Sequence, residues 1–385
     1  VELRDLTADD LDAVTDNRRR AFGPVSEAFQ RRWVEMVTPA LDAGRYLGLF
    51  DGPRLVATSR INDFTQYWHG RPISLGGVAS VTVAPEDRGR GVGRTLMLAT
   101  LDRCARLGHP VSALYPATTH IYRSLGWEHA GAMHRAVLAA EALRTIRRTE
   151  DVQVRRVGPD DAEQVVSVLR AVHLATRACG PVCWDAAVWR ARLGNEDDFA
   201  YLAHDGLLVY RWQGEDLEVP VLVAASEATA RTLWSLLGSS ASIARSVHAV
   251  VTPDDPVFWL VGDRSEDRVG QTRWMFRVVD LAAAIRARGF PPGVTLDVVV
   301  QVDDPQRPGN SGPWHLSVSG GAATAEPAGT LPPAMPVLTA GAFSALFCGV
   351  PATTLRRTGG LTGPEDGDAA LDAAFQARPY MLDHF

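Results

Sequence analysis

The stretch Ser80-Val81-Thr82-Val83-Ala84-Pro85-Glu86-Asp87-Arg88-Gly89-Arg90-Gly91-Val92-Gly93-Arg94 decides how the rest of the chain is read. An alternating β-branched run delivers the chain to a turn whose glycines reach backbone conformations closed to other residues, so successive N–H groups converge. Val92, Leu96, Ala99, Leu101 and Ala105 then fall near helical spacing, and Gly108-His109-Pro110 closes that helix. A helix whose positive end opens on such a turn forms a cradle for a diphosphate. The Walker pattern is excluded because no Gly-Lys-Ser/Thr ends the turn. The dinucleotide fingerprint is excluded by the glycine spacing and by the missing acid after the next strand.

Working outward, strands are expected at 46–50, 54–61 and 73–83 around a turn at Asp51-Gly52-Pro53, with a short strand at 111–115 after the helix. That order is α+β, a mostly antiparallel sheet with one βαβ unit at its centre. Residues 1–14 are echoed at 152–165: Arg4 and Arg155 precede the acidic pairs Asp9-Asp10 and Asp160-Asp161, with the same apolar periodicity behind them. The echo never produces a second glycine turn, because 219–225 is followed by Glu227-Ala228-Thr229. A helix at 281–288 ends in Gly289-Phe290-Pro291-Pro292-Gly293, and strands at 294–302 and 314–319 with helices at 340–347 and 368–377 follow. The expected domains are 1–150, 151–285 and 286–385.

Composition agrees with a folded chain of several domains: 385 residues, 46% hydrophobic and 22% charged. No run of about 18 apolar residues suggests a membrane span, and Val1-Glu2-Leu3-Arg4-Asp5 lacks a secretory pattern, so a cytoplasmic location is the expectation. A net charge of -6 argues against nucleic acid as a partner. Four cysteines are too few for a disulfide framework, and Cys179, Cys183 and His173 lack a fourth ligand at metal spacing, so no metal is expected.

The glycine turn and its strand resemble motif A of the GNAT N-acetyltransferase superfamily, with Arg88, Gly91 and Gly93 on the signature. The order of a motif-bearing segment, a second segment without it and a C-terminal α+β unit is similar to the Eis-type (enhanced intracellular survival) acetyltransferases. The 76–85 run, the 115–122 stretch and Met275-Phe276-Arg277-Val278-Val279-Asp280-Leu281 carry that likeness. It implies two tandem GNAT-like domains, the first catalytic, and a sterol-carrier-protein-like third domain. It implies acetyl-CoA held by Val81, Thr82, Val83, the N–H groups of Arg88, Gly89, Arg90, Gly91, Val92, Gly93 and Arg94, and Ala117. Tyr122 would be the general acid at the thioester sulfur, and the terminal carboxylate of Phe385 the base, with His384 a rival.

The acceptor implied is a small amine, aminoglycoside-like in many members, held by acidic and aromatic residues. Candidates are Glu27, Trp33, Phe64, Asp383 and His384, with Glu35 and Trp68 beside them. A homo-oligomer, a hexamer built as a trimer of dimers, is implied as well. A peptide or lysine acetyltransferase would need an open groove. A lipid-binding protein would need a hollow third domain, whereas Leu296, Val298, Val300, Leu316 and Val318 alternate as in an ordinary sheet.

Overall fold

The computed structural model describes residues 1–24, 26–262 and 268–385, and the side chains of these except 27–29, 31, 32 and 35. The first segment runs β1 (Glu2–Asp5), α1 (Leu11–Phe22), α2 (Glu27–Asp42), β2 (Tyr46–Asp51), β3 (Arg54–Trp68), β4 (Arg71–Val83), α3 (Val92–Arg106), β5 (Val111–Leu114), α4 (Thr119–Arg123), β6 (Glu128–Ala139) and α5 (Ala140–Leu143). The second runs β7 (Arg155–Arg156), α6 (Ala162–Ala175), β8 (Val182–Cys183), α7 (Ala186–Leu193), β9 (Phe199–Ala203), β10 (Gly206–Gln213), β11 (Asp216–Ala224), α8 (Glu227–Gly238), β12 (Ser246–Val251), α9 (Val257–Leu260) and β13 (Arg268–Val278). The third holds α10 (Leu281–Ala287), β14 (Leu296–Asp303), β15 (Gly312–Ser319), β16 (Ala322–Pro327), β17 (Val337–Thr339), α11 (Ala340–Phe347), α12 (Ala352–Arg357), β18 (Leu361–Thr362) and α13 (Asp368–Phe375).

Two of the expected strands prove longer. β3 and β4 extend to a two-residue hairpin at His69 and Gly70, both at positive φ (46° and 76°), a turn that matches the twist of the paired strands. The polar residues Asn62, Asp63 and Gln66 mask this extension in sequence, since hydrophobic alternation is the cue that marks a strand. The echo at 152–165 is real in local structure: Arg4 bonds Asp10 at 2.7 Å and Arg155 bonds Asp161 at 2.8 Å, while the same aspartates accept the N–H of Thr7 and Gly158.

The strands of both segments form one sheet, in the order β1-β2-β3-β4-β5-β13-β6-β12-β11-β10-β9-β7, with β8 on β3. β4 pairs β5 in parallel, and β11 pairs β12 in parallel. The strand beside each parallel pair comes from the other half: β13 lies next to β5, and β6 next to β12. Each exchange covers an edge that would otherwise present a row of unpaired N–H and C=O groups. A cut near residue 150 therefore divides the chain but not the sheet.

The third segment folds as its own sheet, β16-β15-β14-β17-β18, backed by α11. Leu296, Val300, Leu316 and Val318 are buried in it, with Val298 half-buried. It is tied to the large sheet by Arg277, whose Nη2 lies 2.5 Å from Asp304 Oδ1 with both side chains 1% exposed. Arg288 is also buried, donating to the carbonyls of Phe347, Gly289 and Phe375 and lying over the rings of Trp68, Phe290, Phe347 and Phe375. Trp68 is thus a core residue rather than a pocket wall, its Nε1–H donating to Gln66 at 2.8 Å.

Two stability predictions follow from these buried groups. Arg277→Ala leaves Asp304 buried with only Asn310 and the Arg307 N–H as donors, and should cost about 3–5 kcal/mol in urea unfolding, whereas Arg277→Met with Asp304→Leu should cost much less. His173, 2% exposed on α6, has its pKa lowered from 6.5 to about 4 by burial, only partly opposed by Asp383. The unfolded chain therefore binds the extra proton first. Stability should fall by up to about 3 kcal/mol as pH drops from 6.5 to about 4, and flatten in His173→Leu.

Candidate functional site

The β4/β5 ladder joins Leu75 to Val111 and ends at Val78 with Leu114. β4 continues to Val83 while the other strand stops, so a wedge opens between them. A bulge aims the free part of β4 into that wedge. Thr58 pairs Thr82 and Arg60 pairs Ala79, leaving Ser59 opposite both Ser80 and Val81. Ser80 takes φ 51°, a conformation rare without glycine, and is held there by Thr58, whose hydroxyl donates to Ser80 O at 3.0 Å and lies 2.7 Å from Thr82 Oγ1.

Beyond the bulge, Ala84, Pro85 and a short turn lead to α3. Gly89 and Gly91 sit at φ 78° and 80° with nothing within 4 Å of where a Cβ would be, so the space over them is open. Gly91 caps α3 without any side-chain hydrogen bond, and the first N–H of the turn and helix start to find an acceptor after Arg88 is that of Thr95, on Gly91 O at 3.1 Å. Free amides and a helix dipole together suit a diphosphate. Arg90 is held by Asp87 at 2.5 Å and Arg94 by Ser124 at 2.8 Å, whereas Arg88 is exposed and carries no such pairing among the described residues. Val81 and Val83 are half-buried along the wedge, Thr82 is buried, and Ala117 is exposed on the far lip.

The equivalent place in the second half is closed. β11 leads to α8, whose N-terminus is capped by Ser226, accepting from Thr229 N–H at 3.3 Å, with Glu227 in its first turn. A side-chain oxygen and a carboxylate occupy what an anion would need.

The chain's last residues lie against the wedge. Tyr380 bridges Ala132 in parallel, Tyr380 N–H donates to Cys179 O, and the Tyr115 hydroxyl donates to Asp383 O at 2.9 Å. The Phe385 ring packs on Phe64 (centroids 4.8 Å) and edge-on to Tyr115 (5.6 Å), while His384 stacks on Tyr115 at 4.2 Å. Trp184 closes the cluster from the second half, 4.5 Å from Phe64. Gly77 on β4 makes room: a Cβ there would stand 2.3 Å from Phe64 and 3.1 Å from the Phe385 ring.

Tyr122, on α4, is buried in the cluster that also contains Val78 and Leu114, the last pair of the ladder. Burial raises its pKa to about 12, so it holds its proton at neutral pH. His384 is exposed, its proton affinity lowered by partial burial and then by Arg135.

The acceptor candidates are less well gathered. Phe64 and His384 join the tail cluster. Trp33 is 3% exposed in the core between α1 and α2, so its ring faces packing neighbours. Asp383 is bound by Arg192 at 2.7 Å. The side chains of Glu27 and Glu35 lie outside the described residues. Sequence reading passed over Trp184, Gly77 as a packing requirement, and the arginines near the tail. Adjacent Gly76 and Gly77 inside a strand were the available cue, since strand glycines mark close approach.

Gly77→Ala should therefore push the buried Phe64 ring aside and with it the tail seated on that ring. Carboxypeptidase should release Phe385 and His384 at least about tenfold faster than from the parent protein, at an overpacking cost of about 1–3 kcal/mol in unfolding.

Comparison with known proteins places this geometry. Acetyltransferase (GNAT) domain models match residues 2–130 and 180–278, and a sterol carrier protein domain model matches 281–382. A GCN5-related N-acetyltransferase from Kribbella flavida is 44% identical, covering 100% of this chain and 98% of that one with a TM-score of 0.96. N-acetyltransferase Eis of Mycobacterium tuberculosis is 25% identical over 65% of each chain. Eis1 from Mycobacterium abscessus shares the fold, with TM-score 0.79 at 21% identity over 100% of both chains. Two GNAT domain matches followed by a sterol carrier protein domain match agree with the two halves and the third segment, and the chain belongs to the GCN5-related N-acetyltransferases, as an enzyme of the Eis type.

Proposed function

We propose that this enzyme moves the acetyl group of acetyl-CoA directly onto a primary amine of a small molecule, with Tyr122 as general acid and the terminal carboxylate of Phe385 as base. The observation that carries the reading is the seating of Phe385 on Phe64 and Gly77, beside the wedge that the α3 cradle opens onto. Acetyl-CoA, when bound, supplies an activated thioester. The cradle amides of residues 88–94 would hold its diphosphate, and the β4 wall from Val81 to Val83 would hold the arm.

The carboxylate of Phe385 takes a proton from the incoming ammonium, directly or through water, freeing the lone pair that forms the N–C bond. Tyr122 would give its proton to the sulfur as the C–S bond breaks and regain one, through water, from the nitrogen as it becomes an amide; its raised pKa keeps the proton available. Phe64, Tyr115 and Trp184 exclude water and hold the tail, so much of the rate comes from placement. A second reading uses His384 as the base: its ring is stacked on Tyr115 and its lowered pKa favours the neutral imidazole.

An aminoglycoside-like polycation is the acceptor that the family likeness suggests. Asp383, one of the acids it would use, already carries Arg192, which leaves a polycation with fewer partners. The same reading makes the protein a cytoplasmic trimer of dimers, for which light scattering should find six 41.6 kDa chains.

Thiol release from acetyl-CoA, measured across a panel of amines, tests the mechanism. Tyr122→Phe and removal of residues 384–385 should each lower kcat by about 10²–10⁴, with KM for acetyl-CoA within about threefold of the parent. His384→Ala separates the two bases: it keeps most of the rate if the carboxylate acts, and loses it if the imidazole does. Full activity after truncation would remove Phe385 from the mechanism.

A further inference from the structure

Beside the last residues of the chain lies a cavity of about 220 Å³, smaller than the roughly 300–1,000 Å³ of pockets for drug-sized ligands. Its ionisable lining is Arg135, Arg192, Arg211, Asp198, Asp383 and His384. Two of the arginines are matched. Arg192 lies 2.7 Å from Asp383, whose side chain is 12% exposed, and Arg211 lies 2.8 Å from Asp198, 9% exposed.

Arg135, on β6, differs. Its side chain is 56% exposed, and the one carboxylate within reach among the described residues, Glu218, stands 4.0 Å away and is shared with His248 at 3.5 Å. That is beyond hydrogen-bond distance. A polycation entering here would meet three guanidinium groups with both lining carboxylates already neutralised. A neutral amine would leave Arg135 unmatched. An amine that also carries an anion satisfies it, and the planar guanidinium fork suits a carboxylate, which it can bind through two parallel N–H bonds.

We propose that this cavity, which the tail lines as far as His384, is the acceptor pocket, and that it selects a small primary amine bearing one carboxylate, held by Arg135 with the amine at the His384 end, next in the chain to Phe385. The proposal rests on the transferase reading above and narrows its substrate class. Arg135 is then a binding residue that sets specificity, and the distance from anion to amine sets the preferred chain length.

The test is steady-state kinetics at fixed acetyl-CoA with ω-amino carboxylates of increasing length, aminoalkyl phosphates and alkylamines of matching length, and one aminoglycoside. The parent enzyme should favour the best amino carboxylate over its alkylamine by about tenfold or more in kcat/KM, which is about 1.4 kcal/mol. Arg135→Gln should erase most of that preference through KM, with kcat little changed. Equal use of amines with and without an anion, a polycation as the best acceptor, or an unchanged preference in Arg135→Gln would each overturn the proposal. Preference for the phosphates over the carboxylates overturns the carboxylate and assigns the anion as phosphate. If no amine reacts, the transferase reading fails first. Calorimetry with the amino carboxylates then decides the pocket separately: binding weakened about tenfold by Arg135→Gln supports it, and no binding to the parent overturns it.

Discussion

Strand β13 lies between β5 and β6, and the placement of nearly everything that matters to the site depends on that insertion. Backbone pairing there is extensive: β13 matches β6 along most of its length and β5 from Met275 to Val278. Immediately afterwards the N–H groups of Val279 and Asp280 both donate to Pro110 O, and Asp280 caps α10. The third domain therefore starts at a fixed point under the first half. Its closing segment returns along the same junction, with His69 Nε2 2.7 Å from Gln376 O, then Tyr380 on Cys179 and Ala132, before reaching the wedge. All three segments contribute to a tail position that none could define alone.

Two buried arginines sit at the junction, and they solve the same problem differently. Arg277 meets a carboxylate, so two charges leave water together and must satisfy one another. Arg288 has three carbonyls and four aromatic faces instead, and burial lowers its pKa to about 10. Guanidinium tolerates this because its charge is spread and weakly hydrated. Both residues fix how the third domain sits, and hence where the tail points.

The two halves differ in how the helix after the parallel-paired strand begins. α3 and α8 follow the same strand in the same topology. Glycines and a bare cap leave the amides of one free, while Ser226 and Glu227 answer those of the other. The sheet survived in both halves because its pairing does not depend on those few side chains.

Much of this was legible in residue order. The glycine turn, the strand before it, the repeat at 152 and the missing second motif are local patterns, governed by backbone conformation and capping within a few residues. The glycine turn of the proposed cradle was legible for the same reason. What tertiary structure decided is long-range: the reciprocal exchange of β6 and β13, Trp33 and Trp68 taken into cores, Asp383 engaged by Arg192, and Trp184 brought from the second half to the tail. Apart from Trp33, whose core partners run from Leu6 to Leu55, each depends on which surfaces meet across more than a hundred residues of chain, and a side chain's role is then set by the partner it finds. Sequence spacing carries the periodicity of a strand or helix but not the identity of that partner, so the glycine turn could be read in advance while the charge lining the cavity beside the tail could not.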